Sequence, residues 1–266
     1  MENFIQKELK QGLTPYLSTA EGLGARIGMD VEILSLAAGK SLTLLDAQKE
    51  TAVLVIEGTG TMSANGTVWQ YCRRNQFLDS CYCLHVCTGV QIEITADTDT
   101  LCYVQKAVNE RRFDAVFYTP EQVDTVIAGS HGELDGTMRR AIRTVFDYNN
   151  APYSNMVLGE VVNSPGLWSS YPPHHHPQPE VYFYRFDKPQ GFGASFANGT
   201  VYKSGQNGLL VIEHSFHSQV AAPGYSMCYI WGIRHLEGDP WLNTRIDDEE
   251  HAWMLDPNAR ASFYQS

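Results

Sequence analysis

A chain of 266 residues, 43% of them hydrophobic, holds enough apolar material for one large β domain or two of ordinary size. A formal net charge of −11 argues against nucleic acid or an anionic membrane surface as a partner, because both would repel it. No apolar run reaches bilayer length and no basic-then-apolar leader opens the chain, so a cytoplasmic protein without a membrane partner is expected.

The first half reads as short strands separated by turns. Val31-Glu-Ile-Leu-Ser-Leu precedes the turn Ala-Ala-Gly-Lys, and Ser-Leu-Thr-Leu-Leu follows it. Thr51-Ala-Val-Leu-Val-Ile-Glu runs into Gly58-Thr-Gly60, and Thr61-Met-Ser leads to Ala64-Asn-Gly66. Asn-Gly is a strong hairpin signal, since both residues tolerate positive φ. Val90–Ala96 and Leu101–Gln105 also alternate. Strands this short and this closely spaced predict a sandwich or barrel, not a βαβ fold. The six cysteines, Cys72, Cys81, Cys83, Cys87, Cys102 and Cys228, fall mostly in these strands and read as reduced, buried thiols. Cys81-x-Cys83 lacks the second pair that a metal site of that type needs.

From Arg111 to Asn150 the pattern weakens. Pro120-Glu-Gln-Val-Asp is a short helix or a loop, and Ser130–Gly136 is a loop by its glycines and acids. Strand character resumes at Arg140-Ala-Ile-Arg-Thr-Val-Phe. It continues at Met156–Val162, at Leu209–His217 (a strand ending on histidine) and at Met227–Ile233, with Val220-Ala-Ala-Pro-Gly-Tyr as a turn. Two all-β halves of similar size suggest a duplicated module.

The chemistry concentrates in Trp168-Ser-Ser-Tyr-Pro-Pro-His174-His-His176-Pro-Gln-Pro-Glu180-Val-Tyr182-Phe-Tyr184. In extended chain His174 and His176 share a face and His175 turns away. Pro177 and Pro179 impose a turn. Glu180, Tyr182 and Tyr184 then point the same way from the next strand. Two imidazoles and a carboxylate on one wall suit a first-row transition metal. A solvated loop or a tag remnant is the plainer reading, but this run is internal and flanked by Pro-Pro and a clear strand.

His174-x-His176-x-x-x-Glu180, with Gly208…His217…Pro223-Gly224 about forty residues on, resembles the two metal motifs of a cupin, a small jelly-roll barrel. Longer strings are more specific: Trp168-Ser-Ser-Tyr-Pro-Pro-His, Glu180–Phe192, Val220-Ala-Ala-Pro-Gly-Tyr and Asp248-Glu-Glu-His251-Ala-Trp. Together they resemble the 5-deoxy-glucuronate isomerase family of myo-inositol catabolism. These are two-cupin proteins related to the 4-deoxy-L-threo-5-hexosulose-uronate ketol-isomerases. The likeness is strong over 155–255 and covers only the strand-and-turn layout of the first half.

The resemblance implies an all-β bicupin. Residues 1–130 would form a barrel without metal and 131–266 a barrel with one. It implies a divalent ion, zinc with manganese or iron as alternatives, on His174, His176, Glu180 and His217. His217 is preferred to His214 because it stands just before the Val-Ala-Ala-Pro turn. Two departures are visible: a short connection between His176 and Glu180, and Glu213-His-Ser before the last histidine. The implied reaction converts 5-deoxy-D-glucuronate to 5-dehydro-2-deoxy-D-gluconate, with a sugar acid as substrate, no nicotinamide or flavin, and a homo-oligomeric assembly.

A proton must move between adjacent carbons, so an acid–base group is needed. Tyr182, Tyr184, Glu160, Tyr229 and Glu213 are candidates, although each tyrosine also fits an ordinary barrel-lining role. Arg140 and Arg185 are candidates for the substrate carboxylate. Isomerisation of another deoxy-uronate, non-enzymatic binding of a sugar acid, and an iron dioxygenase with the same ligands are the alternatives. The single histidine of residues 1–130, His85, leaves no His-x-His pair there.

Overall fold

Several strands are apolar at every position rather than at alternate ones, and the computed structural model, which describes residues 3–256, shows why. In Lys49–Ala64, Val53 and Val55 point into one core while Ala52, Leu54 and Ile56 point into another. In Glu180–Phe186, Tyr182 and Tyr184 face one core and Val181 and Phe183 face the other. Strands buried on both faces lose the polar/apolar alternation. The two barrels of this all-β chain thus each enclose a core, and a third core lies between them.

In the second barrel a seven-stranded sheet runs in the order Phe4–Gln6, Gly208–Ile212, Glu180–Phe186, Met227–Arg234, Met156–Asn163, Arg140–Phe146 and Asp124–Ala128. A five-stranded sheet faces it: Thr200–Gly205, Phe192–Ala197, His217–Ala221, Trp168–His175 and Ile246–Asp247. All the pairings are antiparallel. The chain's first strand, Phe4–Gln6, therefore completes the second barrel, as does Asp124–Ala128. The ends of the two expected units, residues 1–2 and 257–266, lie outside the described residues.

In the first barrel Lys49–Ala64 serves both sheets. Its early part pairs with Cys83–Val86 and Thr100–Val108. Its register shifts between Val55 and Glu57, and its later part pairs with Thr67–Arg73 and Ile92–Ala96. Gly58 sits at the corner with φ 132, where a Cβ would come within 2.8 Å of Thr100 Cα. Only glycine fits both constraints. The Asn65-Gly66 hairpin closes with φ 51 and 81, the paired positive values that the dipeptide favours.

Some local expectations differ from the structure. His217 opens the strand His217–Ala221 and does not end the preceding one, which stops at Ile212. Glu213–Phe216 form a loop in which His214 takes φ 53. Residues 120–123 are a turn, and the strand after them, Asp124–Ala128, was hidden by its exposed, weakly patterned residues. A one-and-a-half-turn helix, Gly22–Ile27, was not expected; Gly28 at φ 69 terminates it.

Polar groups also sit between the barrels. Glu160 is fully buried and accepts from Arg73 Nη2 at 2.5 Å and Arg143 Nη1 at 2.7 Å. Glu50 faces His85 Nε2 at 2.9 Å and accepts from Ser154 Oγ at 3.1 Å and the Asn155 amide at 2.7 Å. Such interior charges stand only when paired and hydrogen-bonded, so the two clusters fix how the barrels dock.

Candidate metal centre

The candidate metal centre lies in the second barrel, between its two sheets. Strand Trp168–His175 pairs with His217–Ala221, and the register sets His174 opposite His217. The chain leaves the strand at His176, turns through Pro177-Gln-Pro179, and re-enters the facing sheet at Glu180. Glu180 shares the inward face with Tyr182 and Tyr184, as strand parity dictates. His175 turns away and packs edge-on against Phe216, with ring centroids 4.7 Å apart.

His176, Glu180 and His217 offer donor atoms that all lie within 4.8 Å of one another, and all three residues are buried. His176 Nε2 and His217 Nε2 each stand 3.3 Å from Glu180 Oε2. The remaining ring nitrogens fix the tautomers. His176 Nδ1 lies 2.8 Å from the Gln178 carbonyl and His217 Nδ1 lies 3.0 Å from the Ser215 carbonyl. A carbonyl only accepts, so each Nδ1 carries a proton and each Nε2 is turned toward the carboxylate. A divalent ion among the three would take one Nε2 from each imidazole and one oxygen from the carboxylate.

Donor atoms held at about 2.0–2.2 Å in a tetrahedron stand about 3.3–3.6 Å apart, so the observed separation fits an ion of zinc type. Glu180 Oε2, His217 Nε2 and His174 Nδ1 are buried without hydrogen-bond partners, a further sign that the donor set awaits a cation.

Electrostatics keep the donors in their binding forms. Burial alone would push the Glu180 carboxyl up, but the facing His176 and His217 outweigh it and hold it at about 2. A divalent ion acts in the same direction. Burial, then the charges of His217 and Arg245, hold His174 at about 2, so its imidazole is neutral. Its ring centroid lies 4.4 Å from that of His217, although its nitrogens do not join the three-residue group.

A cavity of about 270 Å³ opens above these donors, near the lower end of small-ligand sites. Tyr182 and Tyr229 line it. Ser170 Oγ stands 3.3 Å from Tyr182 Oη and 3.2 Å from Tyr229 Oη, and Ser169 Oγ also bonds Tyr229. Burial pushes Tyr229 up to about 12, against the pull of Ser169, Ser170 and Arg140, and Tyr182 well above its ordinary value. Both phenols therefore keep their protons at neutral pH.

Other expected residues lie elsewhere. Glu160 faces the inter-barrel core, because the inward position of its strand belongs to Val161. Tyr184 lies deeper in the barrel, donating to Gln219 Oε1 and accepting from Ser195 Oγ, both at 2.8 Å. Glu213 pairs with Arg26 at 2.7 Å. Arg185 donates to Asn207 Oδ1 at 2.5 Å outside the cavity, whereas Arg140 lines it.

Trp241, Asn243 and Arg245 complete the wall from an irregular segment after the last long strand. Trp241 N donates to His235 Nδ1 at 2.9 Å, and Gln178 Nε2 donates to the Asp239 carbonyl at 2.9 Å, which hold that segment across the mouth. It has no alternation to mark it in the sequence. Ser169 and Ser170 could have been found, since they share a strand with His174.

Comparison with known proteins places the fold and the family of this chain. A 5-deoxy-glucuronate isomerase from Geobacillus kaustophilus is 23% identical over 265 residues, covering 91% of each chain. One from Bacillus subtilis is 21% identical, covering 86% of this chain and 88% of its own. The crystal structure of an IolB-like protein from Salmonella typhimurium superposes with a TM-score of 0.85 at 19% identity, covering 96% of this chain and all of that one. Oxalate decarboxylase from Lactobacillus farciminis, solved as a formate complex, shares the fold at a TM-score of 0.67 and 10% identity, over 93% of this chain and 88% of its own. The family model described as KduI/IolB matches residues 6–254, and the chain belongs to that family.

Proposed function

We propose that this chain is a divalent-metal-dependent aldose–ketose isomerase that interconverts 5-deoxy-D-glucuronate and 5-dehydro-2-deoxy-D-gluconate. The observation that carries the reading is the meeting of His176 Nε2, His217 Nε2 and Glu180 Oε2 beside a cavity that His176 and Glu180 line together with phenols and guanidiniums. The names of the relatives supply the substrate. His174, neutral and adjacent, is the fourth ligand in this reading. A bound divalent ion, zinc with manganese or iron as alternatives, supplies Lewis-acid polarisation of the substrate's carbonyl and neighbouring hydroxyl oxygens.

The chain's own groups handle the protons. Tyr182 and Tyr229, kept protonated by burial, donate hydrogen bonds to the oxygen that gains charge. Ser170 joins the two phenols, so a proton released at one substrate oxygen can be delivered to the other. In the enediol route the hydroxyl-bearing carbon passes its proton to a basic group of the site and its C–H electron pair becomes the carbon–carbon double bond. The carbonyl π pair moves onto the aldehyde oxygen, which takes up a proton. The neighbouring hydroxyl then gives up its proton to become the ketone as the former aldehyde carbon takes one up. No electrons leave the substrate, so neither a nicotinamide nor oxygen is consumed. Trp231 and Trp241 form an apolar wall beside the donors.

The first barrel serves as a scaffold and as an interface for a homo-oligomer. Register supports a metal-free interior there. Leu44 pairs with Ile92 as His174 pairs with His217, so the matching positions are apolar.

The test is NMR of 5-deoxy-D-glucuronate incubated with the metal-loaded protein in heavy water. Formation of the ketose with deuterium on the former aldehyde carbon is expected. Turnover without any label replaces the enediol by a hydride shift. Turnover of 4-deoxy-L-threo-5-hexosulose-uronate alone moves the assignment to that substrate. No turnover of either defeats the reading.

A further inference from the structure

Two arginines reach the cavity from distant parts of the chain. Arg140 opens the strand Arg140–Phe146, and Arg245 sits at the end of the irregular segment before Ile246–Asp247. Arg140 donates Nη1 to the Met138 carbonyl at 2.8 Å and forms no ion pair among the described residues. Arg245 is held from behind. Its Nε bonds Asp247 Oδ1 at 2.6 Å and its Nη2 donates to the Pro172 carbonyl at 3.1 Å, which leaves Nη1 without a partner among the described residues.

Asp247 thus answers one of the two positive charges and leaves the other unanswered. Burial lowers the Arg140 guanidinium, and the Arg245 cation lowers it further, so the two charges feel each other across the cavity. Three acids also line the wall; Glu180 belongs to the donor group with His176 and His217, and Asp124 and Asp147 pair with no arginine among the described residues. Asp147 is engaged by the Asn149 amide at 2.8 Å, and Asp124 is exposed on the edge strand. Two guanidiniums lining one cavity, one of them without an ion pair among the described residues, form an arrangement that a bound anion relieves.

Resting on the isomerase reading of this site, we propose that Arg140 and Arg245 form a carboxylate clamp that selects monoacidic sugars. Arg245 offers its Nη1 and Arg140 the part of its guanidinium not bonded to Met138, donors that suit a carboxylate in charge and hydrogen bonding.

Isothermal titration of D-glucuronate, with D-glucose as the neutral control, tests the clamp on the purified metal-containing protein. The acid should bind at least tenfold tighter than glucose. Arg140→Gln and Arg245→Gln should each weaken the acid at least tenfold, leave glucose unchanged and flatten the salt dependence, and Arg245→Lys should fall between. Should Arg140→Gln fail to fold, the Arg245 pair of variants decides alone. His176→Ala should still bind the acid in an Arg245-dependent way, since neither guanidinium is among the donors of the metal group. Absence of glucuronate binding to the unaltered protein overturns the proposal. So does binding that survives both glutamine substitutions, and so does binding lost in His176→Ala but kept in the arginine variants. Turnover is not read in this titration. A protein that binds through its arginines yet fails to isomerise 5-deoxy-D-glucuronate keeps the clamp and loses the isomerase reading.

Discussion

Replacing Glu160 with alanine separates a role in docking the barrels from a role in chemistry. The carboxylate is fully buried between two guanidiniums, with Arg73 Nη2 at 2.5 Å and Arg143 Nη1 at 2.7 Å. Arg73 is itself fully buried; Nη1 donates to the Val55 carbonyl and Nη2 to the carbonyls of Gln76 and Asp79. Without Glu160 those carbonyls remain as partners, but no counter-charge does. Breaking a buried pair by removing one member costs about 3–5 kcal/mol. For a chain of this size each kcal/mol lowers Tm by about 2–4 °C. Glu160→Ala should therefore melt about 6–20 °C lower in a calorimetric scan, with Glu160→Gln in between. Because the side chain points away from the cavity, kcat measured well below the lowered Tm should stay within about twofold. An unchanged Tm refutes the docking role. A folded variant with normal Tm and no activity makes Glu160 the acid–base group that its position in the sequence suggested.

Tyr229→Phe should lower kcat by about 10²–10⁴ with little change in KM, as expected for loss of a proton-handling group, and steady-state kinetics on the folded variant check it. Tyr184→Phe removes hydrogen bonds to Gln219 and Ser195, and should cost about 1–3 kcal/mol in denaturant melts while sparing kcat. Gly232→Ala should destabilise by about 1–3 kcal/mol, because its Cβ would overlap the buried Gln105 side chain at the barrel interface; urea unfolding reads the loss. Acid should destabilise the metal-stripped protein. His174 is held at about 2 and His235, by burial and the Arg234 charge, at about 4, so the unfolded chain binds more protons below pH 6.5. Stability is then full above about pH 6.5 and falls as pH drops toward those values, and His174→Ala should flatten that slope in urea melts taken from pH 7 to 4.

Strand parity carried most of what the sequence revealed. The alternation that put Glu180, Tyr182 and Tyr184 on one face is the alternation found, because a period of two leaves only two choices and the prolines fix where it restarts. Parity gave no such guide for Glu160, a candidate that the structure places in the core between the barrels. In a strand buried on both faces, inward and outward positions are equally apolar, and nothing local says which wall the polar residue joins. Arg185 and Glu213 failed for another reason: proximity to the motif along the chain is not proximity in space, and their partners Asn207 and Arg26 lie in other segments. Arg245 and Trp241 were illegible because the segment that carries them is held by backbone and side-chain bonds to His235, Gln178 and Pro172, none of which leaves a periodic pattern. The contribution of Phe4–Gln6 to the second barrel was equally hidden, since strand pairing across some two hundred residues has no local signature.

Elemental analysis of the purified protein beside its His176→Ala variant tests the central claim most directly. The unaltered chain should carry one divalent transition ion, and the variant should be empty while retaining the β-sheet circular dichroism of the parent. An ion at full occupancy in the folded variant, or a folded parent that takes up none when zinc, manganese or iron is supplied, contradicts the account.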